Sequence, residues 1–137
     1  RFESGVTAMG DLGDHLARLV EDHDRWQAVD LELRRIEATM LHDVGEIRAS
    51  WPELRKQVAP LCQQPEAAWV ERLGRDGREL DLALADANPA QIRRSFLRYR
   101  RRAGNRFYQV DADLKSLCHE LRYVGQPLAT TFTLLSS

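Results

Sequence analysis

Two apolar ladders at helical spacing constrain this chain more than any other feature. The first runs Leu12, Leu16, Leu19, His23, Trp26, Val29, Leu33, Ile36, Met40, Val44, Ile47. The second runs Ile92, Phe96, Tyr99, Ala103, Phe107, Val110, Leu114, Leu117, Leu121, Val124. Steps of three and four alternate in both, averaging about 3.5, so each segment presents one apolar stripe along a helix. Two stripes of similar length bury each other by lying side by side. The expected fold is therefore all-α, an antiparallel bundle.

With 137 residues, the chain is long enough for one core that buries roughly two thirds of the unfolded surface, and residues 1–137 read as a single helical-bundle domain. No apolar run approaches the ~20 residues that cross a bilayer, and no segment resembles a signal peptide. The chain opens at Arg1 rather than Met, which suggests a segment of a longer protein; eighteen arginines against two lysines suggest a GC-rich bacterial source. The expected compartment is the cytoplasm.

Four helices are expected, two long (about 11–48 and 89–124) and two shorter (about 50–63 and 65–87), after a frayed lead-in over residues 1–10. Asp11 and Asp14 suit a helix N-terminus. Gly45 weakens the first helix without forcing a stop. Ser50-Trp51-Pro52-Glu53 has the form of a capping box with Pro in the first turn. The apolar spacing continues through 47, 51, 54, 58 and 61, which favours a kink near Ser50; the need to cover both long stripes favours a reversal, and reversal is preferred. Gly74 and Gly77 threaten the third helix, with Asp76 a candidate cap for a fresh start. Asn88-Pro89 opens the last helix and Gly125-Gln126-Pro127 stops it. Residues 128–135 form either a short helix or an extended segment. The expected core is Leu19, Trp26, Leu33, Ile36, Met40, Ile47, Leu54, Trp69, Leu80, Leu84, Phe96, Phe107, Val110, Leu114 and Leu121.

Charge is distributed unevenly behind a net −1. Residues 1–64 carry eight basic and twelve acidic side chains, residues 65–88 three and six, and residues 89–137 nine and three. Arg93, Arg94, Arg98, Arg100, Arg101, Arg102 and Arg106 fall within fourteen positions. On a helix, Arg94, Arg98, Arg101 and Arg102 share one flank, Arg93 and Arg100 another, and Phe96, Tyr99 and Ala103 turn inward. Three uses follow: neutralisation by acidic neighbouring helices, docking of an acidic protein or domain, or phosphate and nucleic-acid binding with Tyr99 and Tyr108 as stacking faces. The neutral whole argues against the last.

No constellation commits the chain to catalysis. The residues three before His15, His23, His42 and His119 are Leu12, Val20, Thr39 and Ser116, so the Glu-x-x-His pattern of di-metal bundles is missing. His42 and Glu46 sit one turn apart without further ligands. Cys62 and Cys118 read as reduced packing residues. An α-helical ribonuclease would pair an Arg with a His a few residues on; Arg18–His23 and Arg35–His42 meet that spacing, but Leu19 and Ile36 follow the arginines where a polar residue is wanted. No cofactor or metal is expected. The leading expectation is a non-enzymatic interaction or adaptor module. It docks another protein, a neighbouring domain or a second copy through apolar stripe left uncovered where the long helices outrun the short ones, together with the arginine flank. The alternative is a phosphate or nucleic-acid binder using Arg94, Arg98, Arg101, Arg102 and Arg106.

Overall fold

The computed structural model describes the backbone of residues 2–64 and 66–124, and side chains of 13–64 and 66–121. Four α-helices follow in order: α1 (Phe2–Thr39), α2 (Gly45–Val58), α3 (Ala68–Asp86) and α4 (Pro89–Val124), with a 3-10 turn at Ala59–Leu61. There is no strand among the described residues. The expected stop at 125–127 and the tail at 128–135 lie outside them.

Several boundaries differ from the sequence reading, both ends of α1, both ends of α2 and the start of α3 among them. Helix α1 starts at Phe2, not near residue 11, and ends at Thr39, not near 48. The chain breaks over residues 40–44, where Thr39 Oγ1 donates back to the Ile36 carbonyl at 2.8 Å and the Gly45 amide donates to Asp43 Oδ1 at 3.0 Å. A side-chain acceptor two residues before an amide is a local substitute for the helical hydrogen bond. Ser50 is consequently not a cap: it lies inside α2 and its hydroxyl donates to Glu46 Oε1 at 3.1 Å. Pro52 also sits inside α2, leaving the Arg48 carbonyl without its helical donor. Helix α3 starts at Ala68 instead of 65 and runs unbroken through Gly74 and Gly77. It ends on Ala87 in the left-handed region, with φ 55°. Helix α4 opens where expected: Asn88 Oδ1 accepts the amides of Ala90 and Gln91 at 3.1 and 3.3 Å.

The chain divides into two compact units, residues 1–23 with 108–137 and residues 24–107. In the larger unit every consecutive helix pair is antiparallel, as cross-helix partners show. Arg35 Nη2 donates to Glu46 Oε1 at 2.7 Å, and Arg25 and Val29 share a cleft with Gln57 and Pro60, so α2 reverses on α1. Trp51 Nε1 donates to Asp81 Oδ1 at 2.7 Å and Arg48 to the Leu84 carbonyl at 2.9 Å, so α3 reverses on α2. Arg98 meets Glu79 at 2.7 Å and Arg102 meets Asp76, reversing α4 on α3. Arg100 approaches Glu37 at 2.5 Å and Arg93 donates to the Met40 carbonyl at 3.0 Å, so α4 returns along α1. The chain therefore reverses after α1, at 40–44 and not at Ser50.

The core lies where the ladders meet. Trp26, Leu33, Ile36, Met40, Ile47, Leu54, Leu80 and Phe96 are buried as expected, while Trp69, Leu84 and Phe107 are half-buried. Two edge-to-face aromatic pairs cross the interior: Trp26 with Trp69 (α1 to α3, 5.8 Å) and Trp51 with Tyr99 (α2 to α4, 4.8 Å). Gly104 lets α4 come close to α1, since a Cβ there would stand 3.4 Å from the buried Asp30 carboxylate. In the smaller unit Leu16, Val110 and Leu121 are buried and Leu19, Leu114, Leu117 and Cys118 are half-buried. The stripe that was expected to lie uncovered is thus largely covered among the described residues.

Asp76 and Arg102 pair a buried carboxylate with a guanidinium that reaches the surface, their side chains 4% and 36% exposed. This asymmetry generates a prediction. Arg102→Met leaves a carboxylate inside the core and should cost about 3–5 kcal/mol. Asp76→Asn leaves a guanidinium that reaches water and should cost about 1–2 kcal/mol. Urea unfolding of the two variants checks the order, and equal costs contradict the burial.

Candidate functional site

Helix α4 sorts its arginines by angle. At about 100° per residue, Arg98, Arg102 and Arg106 turn progressively to one side, Arg93 and Arg100 to the other, and Arg94 and Arg101 lie between, only about 20° apart. The tertiary partners follow this order. On the α3 side, Arg98 pairs with Glu79, Arg102 with Asp76, and Arg106 lies 4.2 Å over the Trp69 ring. On the α1 side, Arg93 caps the Met40 carbonyl and Arg100 takes Glu37, a charge contact that is not aligned as a hydrogen bond. Internal neutralisation, one of the three uses read from the sequence, accounts for three of the seven, Arg98, Arg100 and Arg102, while a carbonyl engages Arg93 and a ring engages Arg106.

Arg94 and Arg101 point outward and are exposed, with no carboxylate or carbonyl holding either one among the described residues. With Leu97, Arg98, Arg102 and Asn105 they line a shallow concavity of about 440 Å³. A second concavity continues toward α3 past Gln91, Arg94 and Leu82, whose side chain is 67% exposed. Of the five arginines expected to act together, four line this surface and Arg106 does not. Tyr99, considered as a stacking face, is 3% exposed and cannot meet a base; Tyr108 is exposed. Sequence spacing could place the arginines on a flank but could not say which of them α3 neutralises.

The residues considered for other chemistry are dispersed. His15, His42 and His119 are exposed. Arg35, one of the two ribonuclease candidates, is held by Glu32 and Glu46, and its hydrogen bonds keep both carboxyls below their usual range. His23, in the other candidate pair, donates through Nε2 to Asp111 Oδ1 at 2.8 Å. Among the described residues no three His, Cys, Asp or Glu side chains converge as a metal site, and no helix is long and apolar enough to cross a membrane. Cys62 and Cys118 are not bridged. Comparison with protein-family models, with curated proteins and with solved structures finds no match.

Asp111 links the two helices of the smaller unit through charge. The hydrogen bond from Lys115, helped by the one from His23 and opposed by burial, holds its carboxyl below the usual range. A group depressed in the folded state adds stability above the ordinary carboxylate pKa of about 4, and that stability is lost as pH falls through the folded value. Asp111→Asn should therefore destabilise the protein at pH 7, and its deficit relative to the parent should shrink below about pH 4. Unfolding midpoints between pH 7 and pH 3 measure this; a deficit independent of pH contradicts the assignment.

Proposed function

We propose that this chain is a non-enzymatic helical interaction module that docks an acidic protein segment along α4. One observation carries the reading: after the fold has neutralised its own arginine surplus, Arg94 and Arg101 are left on one exposed face, beside half-buried Leu97 and exposed Leu82. Seven residues separate them, or about 10.5 Å along the axis. A partner helix with carboxylates seven residues apart and an apolar side chain between them matches that spacing. Two free guanidinium groups suit an acidic helix better than a nucleic acid, whose affinity grows with the number of phosphates neutralised. Glu79, on the same face, repels a phosphate backbone further. The arginine-rich, lysine-poor composition and the unbridged cysteines support a bacterial, cytoplasmic setting.

The test is a labelled helical peptide with glutamates seven residues apart and leucine between them, titrated by fluorescence anisotropy. It should bind saturably, and the double variant Arg94→Glu/Arg101→Glu should weaken it about tenfold or more, by exposed-pair energies reversed twice. Reversal of Arg72 and Arg75, exposed on α3, should leave it within about twofold. Equal loss from both variants sinks the proposal, and so does a single-stranded oligonucleotide that binds more tightly than the peptide at the same salt.

A further inference from the structure

The arginine face of α4 has two unlike ends. Toward the start of the helix, Arg94 shares a concavity with Glu79, Gln91 and exposed Leu82. Farther along, Arg98, Arg101, Arg102 and Asn105 stand at i, i+3, i+4 and i+7, neighbouring positions on a helix surface, and all four line the larger concavity. The carboxylates that answer these arginines differ in what they show to solvent. Glu79 meets Arg98 with its side chain 40% exposed, whereas Asp76, which meets Arg102, is 4% exposed. Arg101 is exposed, and no carboxylate among the described residues holds it. Asn105, one turn on, is also exposed and carries amide N–H donors.

Charge and geometry together select the occupant. Four guanidinium groups line the larger concavity, those of Arg94, Arg98, Arg101 and Arg102, and two carboxylates pair with them, leaving two positive charges. Like charges three and four residues apart on a helix repel, so an anion that joins the cluster relieves a cost already present. A glutamate on a docked segment brings one negative charge and two oxygens in a plane. A phosphate monoester brings about −1.5 to −2 at pH 7 and three strong acceptor oxygens. Its tetrahedral oxygens accept from several sides at once, which suits guanidinium forks arriving from successive turns. The cluster is arginine throughout, and lysine would offer phosphate only a point charge. Glu79 disfavours a dianion at the Arg94 end, so the seat is the Arg101 end.

We infer that Arg98, Arg101, Arg102 and Asn105 form a binding site for one phosphate monoester, a phosphoserine or phosphothreonine on the acidic segment that docks along α4, with a glutamate of that segment at Arg94. The inference rests on the docking reading above and adds its regulation: phosphorylation of the partner strengthens the contact.

Three forms of one helical peptide, titrated against the full chain by fluorescence anisotropy, test it. The first carries two glutamates seven residues apart, the second phosphoserine in place of either glutamate (the tighter arrangement is compared), and the third serine at that position. The phosphoserine peptide should bind about tenfold more tightly than the glutamate peptide, and the serine peptide should bind most weakly. Phosphate has its second pKa at about 6, so the advantage over glutamate should shrink as pH falls from about 7.5 to about 5.5. Arg101→Gln should reduce that advantage to about twofold or less, while Arg94→Gln should weaken both acidic peptides by a similar factor. Both side chains are exposed, so neither change disturbs the core. A phosphoserine peptide no tighter than the glutamate peptide overturns the inference and leaves the docking reading standing. So does an advantage that survives Arg101→Gln in full or stays constant with pH. If no peptide of the set binds, the docking reading fails and the inference falls with it.

Discussion

The fold depends on how one strongly basic helix is accommodated by acidic neighbours over an apolar seam. Burial of the stripe on α4 against α1 and α3 supplies the driving force, since apolar area removed from water is the main favourable contribution to folding. Apolar stripes alone are tolerant of sliding. The polar contacts are not: Arg93 on the Met40 carbonyl, Arg100 by Glu37, Arg98 by Glu79 and Arg102 by Asp76 all agree on one antiparallel register. A slip of one turn would leave Asp76 buried without a counter-charge, which is expensive. Exposed pairs such as Arg98–Glu79 add little stability by themselves, so their contribution is to register.

The candidate docking surface is a remainder of that arrangement. Seven arginines spread around α4, and α1 and α3 approach it from two sides. The arc between those helices holds Arg94 and Arg101, which no acidic residue among those described reaches. With a net charge of −1 the chain as a whole has no basic excess, so the arginines on this arc are a local concentration. A surface that presents two exposed cations beside Leu97 and Leu82 has both halves of a recognition element, charge for orientation and apolar area for affinity.

Local chemistry made some of this fold legible in the sequence. Asn88-Pro89 could be read as a helix start because capping involves residues only two and three positions apart, and α4 begins there. The ladders could be read because burial repeats with the helix. The turn at 40–44 was hidden for the same reason: the apolar spacing passes through Met40, Val44 and Ile47 without a break, and only Asp43 and Gly45 signal the reversal. Ser50-Trp51-Pro52-Glu53 misled because Ser50 is engaged by Glu46 and Trp51 is anchored by Asp81, contacts that spacing does not show. Gly74 and Gly77 looked like breaks, yet α3 passes through them; there the aromatic pair Trp51–Tyr99 packs on Gly77. The division of the arginines into neutralised and free was illegible, since it depends on which side α3 approaches.

The measurement that bears most directly on the account is the register of α4 on α1, read by pulsed electron paramagnetic resonance between spin labels on engineered cysteines. With Cys62 and Cys118 replaced by alanine, labels at Leu31 and Asn105, both exposed, should lie within about 15 Å of each other. Labels at Leu31 and Gln91, about 21 Å farther along the axis, should lie beyond about 20 Å. The reverse order of distances, or two equal ones, would contradict the antiparallel seam and the arginine face that follows from it.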